Sequence, residues 1–221
     1  MIQALIFDFD GLILDTETPE FTCWQNIYRE HGFEFPHEKW ASIIGGHGHA
    51  HFDAAEHLSI LSQGRLDAAS LRARNHLESH SIILEQGPLP GVLEYLEEAK
   101  RLGLKLAIAS SSDRVWVDNH AKRIDVLVYF DHIITADDVG LGRTKPNPDL
   151  FITALRRLQV PKEAAIVFED SPNGVKAANR AGIFVVVVPN SVTSLLSIEG
   201  ADLVVKSLRD LPLSELLDKV K

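Results

Sequence analysis

Residues 2–11, Ile2-Gln3-Ala4-Leu5-Ile6-Phe7-Asp8-Phe9-Asp10-Gly11, decide the reading of this chain: an apolar run that closes on two carboxylates and a glycine. Side chains alternate along an extended segment, so Asp8 and Asp10 leave the tip of the predicted strand on the same side and can serve one site, while Gly11 lets the chain turn sharply. Two carboxylates this close to a buried strand repel each other and lose solvation unless a cation, a proton or a substrate compensates. Packing gives no reason for them; a site that divides labour between a nucleophile and a proton donor does. Either acid alone could instead cap the following segment, and three later segments decide against that.

Working outward, the apolar runs KLAIAS (105–110), AAIVFED (164–170) and IFVVVV (183–188) read as strands buried on both faces. The stretches between them, 113–124, 148–158 and 171–181, read as helices, the last with Ser171 as N-cap, Pro172 in the first turn and Gly182 just past the end. Alternating strands and helices predict an α/β fold: a Rossmann-like parallel sheet with helices on both faces and its function at the C-terminal ends of the strands. From Thr18 to Ile83 the periodicity is helical throughout. Residues 18–83 are therefore expected to form an inserted α-helical cap domain, tethered near Leu14 to Thr18 and Glu85 to Gly91, on a catalytic core of residues 1–17 and 84–221.

The chain has 221 residues, 45% of them hydrophobic, and 22 Lys and Arg against 31 Asp and Glu, a net charge of -9. That is ample material for a core. An acidic chain without a basic stripe is not expected to bind nucleic acid or an anionic membrane surface; a small phosphorylated metabolite is the expected partner, and the protein is expected to act as a monomer. No apolar stretch is long enough to span a bilayer and the start lacks a signal-peptide pattern, so a cytoplasmic location is expected. The single cysteine, Cys23, sits beside Trp24 in a helical pattern and reads as packing.

The other chemical groups end the same strands. Ser110, Ser111 and Ser112 close the second, where hydroxyls and free N–H groups at a helix start can hold an anion. Lys145 lies in a turn stiffened by Pro146 and Pro148, and Glu169 and Asp170 close the IVFED strand. Each has a bland reading of its own, as an N-cap, a solvated loop charge or a capping pair. Together they make a compact site for a phosphate and a metal. A phosphate monoester repels a carboxylate nucleophile, so such a site needs cations, here Mg²⁺ on hard oxygen ligands and the Lys145 ammonium. It also needs one ionised carboxylate to attack and one protonated neighbour to release the alcohol.

DFDG, then the serine after an apolar strand, then KPNPD, then the ED pair resemble, in order and spacing, the four motifs of the haloacid dehalogenase superfamily over essentially the whole chain. The helical insertion looks like the cap of the branch that contains β-phosphoglucomutase and many sugar-phosphate phosphatases. The resemblance implies Asp8 as nucleophile and metal ligand, Asp10 as general acid and base and metal ligand through its carbonyl, and Asp170 as a further ligand of Mg²⁺. It implies Glu169 next to the metal through water or behind its ligands, and Ser110, Ser111 and Lys145 on the transferring phosphoryl group. Retention of Asp10 argues against dehalogenation.

Within that branch, the mutases place a histidine a few residues after the DT step and an arginine shortly after the cap-loop glycine. This chain has Glu17 and Glu20 at the first place, and no Lys or Arg between Lys39 and Arg65 at the second. A phosphatase is therefore the expected activity, with a β-phosphoglucomutase-type phosphomutase as the alternative. Glu17, Glu20, Gly46, His47 and His49 are the expected specificity residues. The run His47, His49, His51 could also ligate Zn²⁺, although a polar loop facing substrate already gives these imidazoles a role. A non-catalytic phospho-receiver would hold its acceptor on a mid-domain strand and carry no inserted cap, unlike an acceptor at position 8.

Overall fold

The computed structural model describes residues 1–41, 43–45 and 52–220. The chain runs β1 (Ala4–Phe7), α1 (Glu17–Glu30), α2 (His37–Ala41), α3 (Ala54–Leu61), α4 (Ala68–Glu85), α5 (Val92–Arg101), β2 (Lys105–Ala109), α6 (Arg114–Arg123) and β3 (His132–Ile134). It continues through α7 (Ala136–Val139), α8 (Asp149–Leu158), β4 (Ala165–Glu169), α9 (Pro172–Ala181), β5 (Phe184–Val187), β6 (Leu203–Val204) and α10 (Leu213–Lys219). The six strands form one parallel sheet in the order β3-β2-β1-β4-β5-β6.

The sheet is built outward from its middle. Phe7 of β1 stands in register with Ile108 of β2 on one side and Phe168 of β4 on the other. Because the chain leaves β1 toward β2 and β3 and later crosses back to β4, the loops after β1 and β4 part from each other and leave a crevice at their carboxyl ends. The strict alternation of the strands feeds two cores. Leu5, Phe7, Leu106, Ile108, Ile166 and Phe168 point to the face covered by α5, α6 and α10. Ala4, Ile6, Ala107, Ala109, Ala165 and Val167 point to the face covered by α8 and α9, where the alanines leave room for Leu150, Phe151 and Leu158. The rings of Phe7 and Phe168 stack at 4.6 Å and lock β1 to β4. Helix α9 starts as its sequence says: Ser171 Oγ accepts the N–H of Gly174 at 3.1 Å.

Between β1 and α5 the described residues contain helices and no strand. Helices α1 to α4 gather an apolar cluster of their own around Trp24, Ile27, Tyr28, Phe35, Trp40 and Leu58, and Cys23 of α1 is buried as well. The C-terminal carbonyls of α4, which lack partners within the helix, are held from the core. Arg123 of α6 donates to the carbonyls of Ile83, Leu84 and Gln86 at 3.0, 2.9 and 2.7 Å. At the opposite side of the crevice the segment Ile44–Gly45 lies against the core: Asn173 Nδ2 donates to Ile44 O at 2.8 Å and Ser111 Oγ to Gly45 O at 3.2 Å. Gly45 has φ +73°, and a Cβ there would fall 2.0 Å from Ser171 Oγ. Among the described residues no helix is long and apolar enough to cross a membrane.

Candidate active site

The acids predicted from the first strand sit where its pairing ends. The N–H of Asp8 still donates to Phe168 O at 3.0 Å, and two residues on the chain turns, closed by Gly11 N to Leu14 O at 2.7 Å. The turn requires glycine twice over: φ is +80°, and a Cβ would lie 2.4 Å from Asp170 Oδ2.

Lys145, 2% exposed, reaches in from the loop before α8 and places Nζ 2.5 Å from Asp8 Oδ1 and 2.5 Å from Glu169 Oε1. The other oxygen of Glu169 accepts the N–H groups of Asp170 and Ser171 and the Ser171 hydroxyl at 3.1, 3.3 and 3.1 Å, which pins it. Asp170 Oδ2 accepts Asn190 Nδ2 at 2.7 Å, while its Oδ1 is buried with no hydrogen-bond partner. Carboxylate oxygens of Asp8, Glu169 and Asp170 lie within 4.8 Å of one another.

Burial, then the Glu169 charge, pushes the Asp8 carboxyl up to about 8, with the Lys145 ammonium opposing and Asp10 adding to the rise. Burial and the charges of Glu169 and Asp8 push Asp170 well above the carboxylate range. Burial works against the Lys145 charge, but Asp8 and Glu169 outweigh it and hold the ammonium above its ordinary value. Fully ionised, three carboxylates facing one ammonium would leave an excess of two negative charges in a dry site, which is why burial favours their protonated forms. A divalent cation on hard oxygen ligands would cancel that excess and occupy the free lone pairs of Asp170 Oδ1.

Asp10 stands apart from this cluster. Its Oδ1 accepts Thr16 Oγ1 at 3.1 Å and the Trp116 indole N–H at 2.8 Å; its Oδ2 accepts Ser110 Oγ at 3.1 Å and Ser112 Oγ at 2.7 Å. Above both acids opens a cavity of about 410 Å³. Ser110 and Ser111 line it from the core, and Glu17, Glu20, Asn75 and His76 line it from the inserted helices. Burial, then the Glu20 and Asp10 charges, raises Glu17 well above its ordinary value. Burial and Asp10 push Glu20 up to about 7, against a hydrogen bond from Trp24. The one guanidinium on the described cavity wall, Arg72, is taken by Asp53 at 2.9 Å and Glu56 at 2.7 Å.

A sequence profile of the haloacid dehalogenase-like hydrolases matches residues 5–188. The chain belongs to that family. It is 43% identical over 218 residues, 99% of this chain and 97% of the relative, to the "Putative phosphatase YhcW" of Bacillus subtilis. It is 34% identical over 186 residues, 82% of each protein, to the "Phosphorylated carbohydrates phosphatase" of Thermotoga maritima. Among solved structures, β-phosphoglucomutase from Clostridium difficile superposes with a TM-score of 0.72 at 26% identity, covering 100% of this chain and 97% of the other. With these relatives, the reaction class of this haloacid dehalogenase-like hydrolase is phosphoric monoester hydrolysis.

The fold of this haloacid dehalogenase-like hydrolase brings Asp8, Asp10, Ser110, Ser111, Lys145, Glu169 and Asp170 to one crevice, with Glu17 and Glu20 on the cavity wall above them. Gly46, His47, His49 and His51 lie outside the described residues. Sequence reasoning missed Asn190, which follows β5 in VVVVPN; the rule that found Ser110, a polar group just past a buried strand, could have found it. It assigns Ser110 and Ser112 to an anion and not to Asp10, and misses Thr16 and Trp116. Thr16 is a short polar residue among several, and Trp116 reads as one more apolar position of α6.

Proposed function

We propose that the protein is a Mg²⁺-dependent phosphatase that hydrolyses a small phosphorylated metabolite, a sugar phosphate, through an aspartyl phosphate on Asp8. The observation that carries this reading is the buried cluster of Asp8, Glu169 and Asp170 around Lys145, with Asp170 Oδ1 left without a partner. Asp8 attacks phosphorus, Lys145 and the Ser110 and Ser111 groups hold the transferring oxygens, and Asp10 gives a proton to the leaving alcohol and later takes one from water. Asp8, Asp170 and the Asp10 carbonyl would hold Mg²⁺, with Glu169 behind them; the ion would offset the charge of phosphate and nucleophile. Residues 18–83 act as a cap that closes over the crevice, because phosphoryl transfer to a carboxylate requires bulk water to be excluded. Glu17 and Glu20 then face the leaving group, and the relative named for phosphorylated carbohydrates supports a polyhydroxy one.

A phosphomutase is the second reading, favoured by the likeness to β-phosphoglucomutase. Against it, a bisphosphate needs a cation in the cap, and the described cavity wall offers carboxyls and an already paired Arg72.

The test is release of inorganic phosphate by purified protein from sugar phosphates, nucleotides, glycerol phosphate and phosphoglycolate, with and without Mg²⁺. Release from sugar phosphates that depends on Mg²⁺ and vanishes in Asp8→Asn is expected; Asp8→Asn retaining wild-type turnover would overturn the assignment. Incubation with β-glucose 1-phosphate and a bisphosphate primer should yield free phosphate or nothing; glucose 6-phosphate would establish the mutase.

A further inference from the structure

Four groups donate to the Asp10 carboxylate, and they are not equivalent. Thr16, Ser110 and Ser112 donate through hydroxyls, which can rotate and accept instead; the Trp116 indole N–H can only donate. An acid must carry its proton on one of its two oxygens; the indole always aims its hydrogen at Oδ1 and disfavours a proton there, although Thr16 Oγ1 could receive one, whereas both neighbours of Oδ2 are hydroxyls that can turn to accept. Oδ1 is the oxygen 2.8 Å from the indole, whereas Oδ2 lies between Ser110 and Ser112, at the end of β2.

The indole is itself held on two sides. His120, one turn further along α6, packs against it with ring centres 4.2 Å apart. From the inserted helices, His80 of α4 approaches the indole at 5.8 Å and the His120 ring at 5.6 Å, and His76 stacks on His80 at 5.5 Å. At the start of α6 the N–H of Trp116 is fixed to Asp113 at 2.8 Å. Trp116 thus touches the acid at one end and the cap helix at the other.

We propose that Trp116 is a positioning residue for acid–base transfer: its indole N–H occupies Oδ1 of Asp10 and so favours Oδ2, between Ser110 and Ser112, as the seat of the exchangeable proton. The assignment rests on the reading of Asp10 as the acid. In the first step a bond forms between an Asp8 oxygen and phosphorus while the ester P–O bond breaks; the alcohol oxygen keeps the electron pair and takes the proton from Asp10 Oδ2. In the second, water attacks the phosphorus, the Asp8 carboxylate leaves, and the proton of the water returns to Oδ2. Because His80 braces the indole from α4, the donor is in place only when the cap helix is.

The leaving group separates this role from a structural one. An alkoxide needs the proton of Asp10 to depart, whereas p-nitrophenolate leaves without it, and kcat/KM reports only the steps through that departure. Trp116→Phe keeps the ring and removes the N–H. Its kcat/KM for a sugar phosphate should fall about tenfold or more, part of the roughly 10²–10⁴ that a positioned acid contributes, while kcat/KM for p-nitrophenyl phosphate stays near wild type. Asp10→Asn should show the same selectivity more strongly. An equal fall on both substrates, or no fall on either, overturns the role of Trp116. His80→Leu, which removes the brace and leaves the indole, should give the same selectivity in milder form, and its absence there overturns the assignment even if Trp116→Phe does not fold. A wild-type protein inactive on both substrates with Mg²⁺ would instead overturn the phosphatase reading on which this one stands.

Discussion

The ammonium of Lys145 lies 2.5 Å from Asp8 Oδ1, and both side chains are shut off from water. Glu169 shares the same ammonium, so a single cation holds together carboxylates that would otherwise repel. Lys145→Met should abolish turnover and also destabilise the fold. Breaking a buried pair costs about 3–5 kcal/mol when the orphaned charge stays ionised, and the carboxyls can lessen that cost by taking up protons. Chemical denaturation should therefore find a larger loss at pH 8 than at pH 6.

The wild-type protein carries the same linkage more weakly. Asp8 titrates near 3.8 in an unfolded chain, but its burial and the charge of Glu169 push it up to about 8 in the fold. Between these values the native state holds a proton that the unfolded state has released, so the contribution of Asp8 to stability falls as pH rises. A divalent cation binds the deprotonated carboxylates. In EDTA the melting temperature should drop from pH 6 to pH 8, and Mg²⁺ should raise it more at pH 8 than at pH 6. A pH-independent Mg²⁺ increment would contradict the site.

Glu20 is pushed up to about 7 and Glu17 well above its ordinary value, and ionising either beside a second bound anion costs still more, which makes the cap side of the cavity a poor host for one. Monophosphates of uncharged sugars should be hydrolysed with higher kcat/KM than phosphoglycolate or sugar bisphosphates of similar size. At pH 8 and above, where Glu20 is ionised, Glu20→Gln should narrow that gap by about tenfold, on the order of 1.4 kcal/mol for one like-charge contact removed, without lowering the melting temperature. Steady-state kinetics on both substrate classes measures it.

Gly45→Ala would put a Cβ onto Ser171 Oγ at a backbone position that costs a non-glycine residue about 1–2 kcal/mol. The Ile44–Gly45 segment should then seat badly, with kcat falling severalfold and the core unchanged. Asn173→Ala, which frees Ile44 O, should do the same more mildly. Turnover equal to wild type in both would show that this contact plays no part in catalysis.

Asp8, Asp10, Glu169 and Asp170 could be read from sequence because each ends or follows an apolar run, and the pattern that buries a strand also marks its tip; Lys145 stands out by the prolines around it. The parallel sheet followed from the same runs. Strands β3 and β6 did not, since three and two residues set up no periodicity; they exist because neighbouring strands offer an edge. Helices α1 to α4 begin and end within two residues of the span expected for the insertion. Asn190 and Trp116 act through geometry alone: one comes back to Asp170 across twenty residues, the other reaches Asp10 across more than a hundred, and nothing local distinguishes them from a loop amide and a core ring.

Helix α6 has two duties in ten residues. Trp116 near its start donates to Asp10, and Arg123 at its end grips the carbonyls where α4 hands the chain back to the core. A substitution that tilts this helix disturbs the contact to Asp10 and the end of α4 together, so its history should be one of constraint. Glu17 and Glu20, on the cavity wall of α1, carry no such double load. New substrates can be acquired there by drift, one side chain at a time, while the rod beneath keeps the reaction the same.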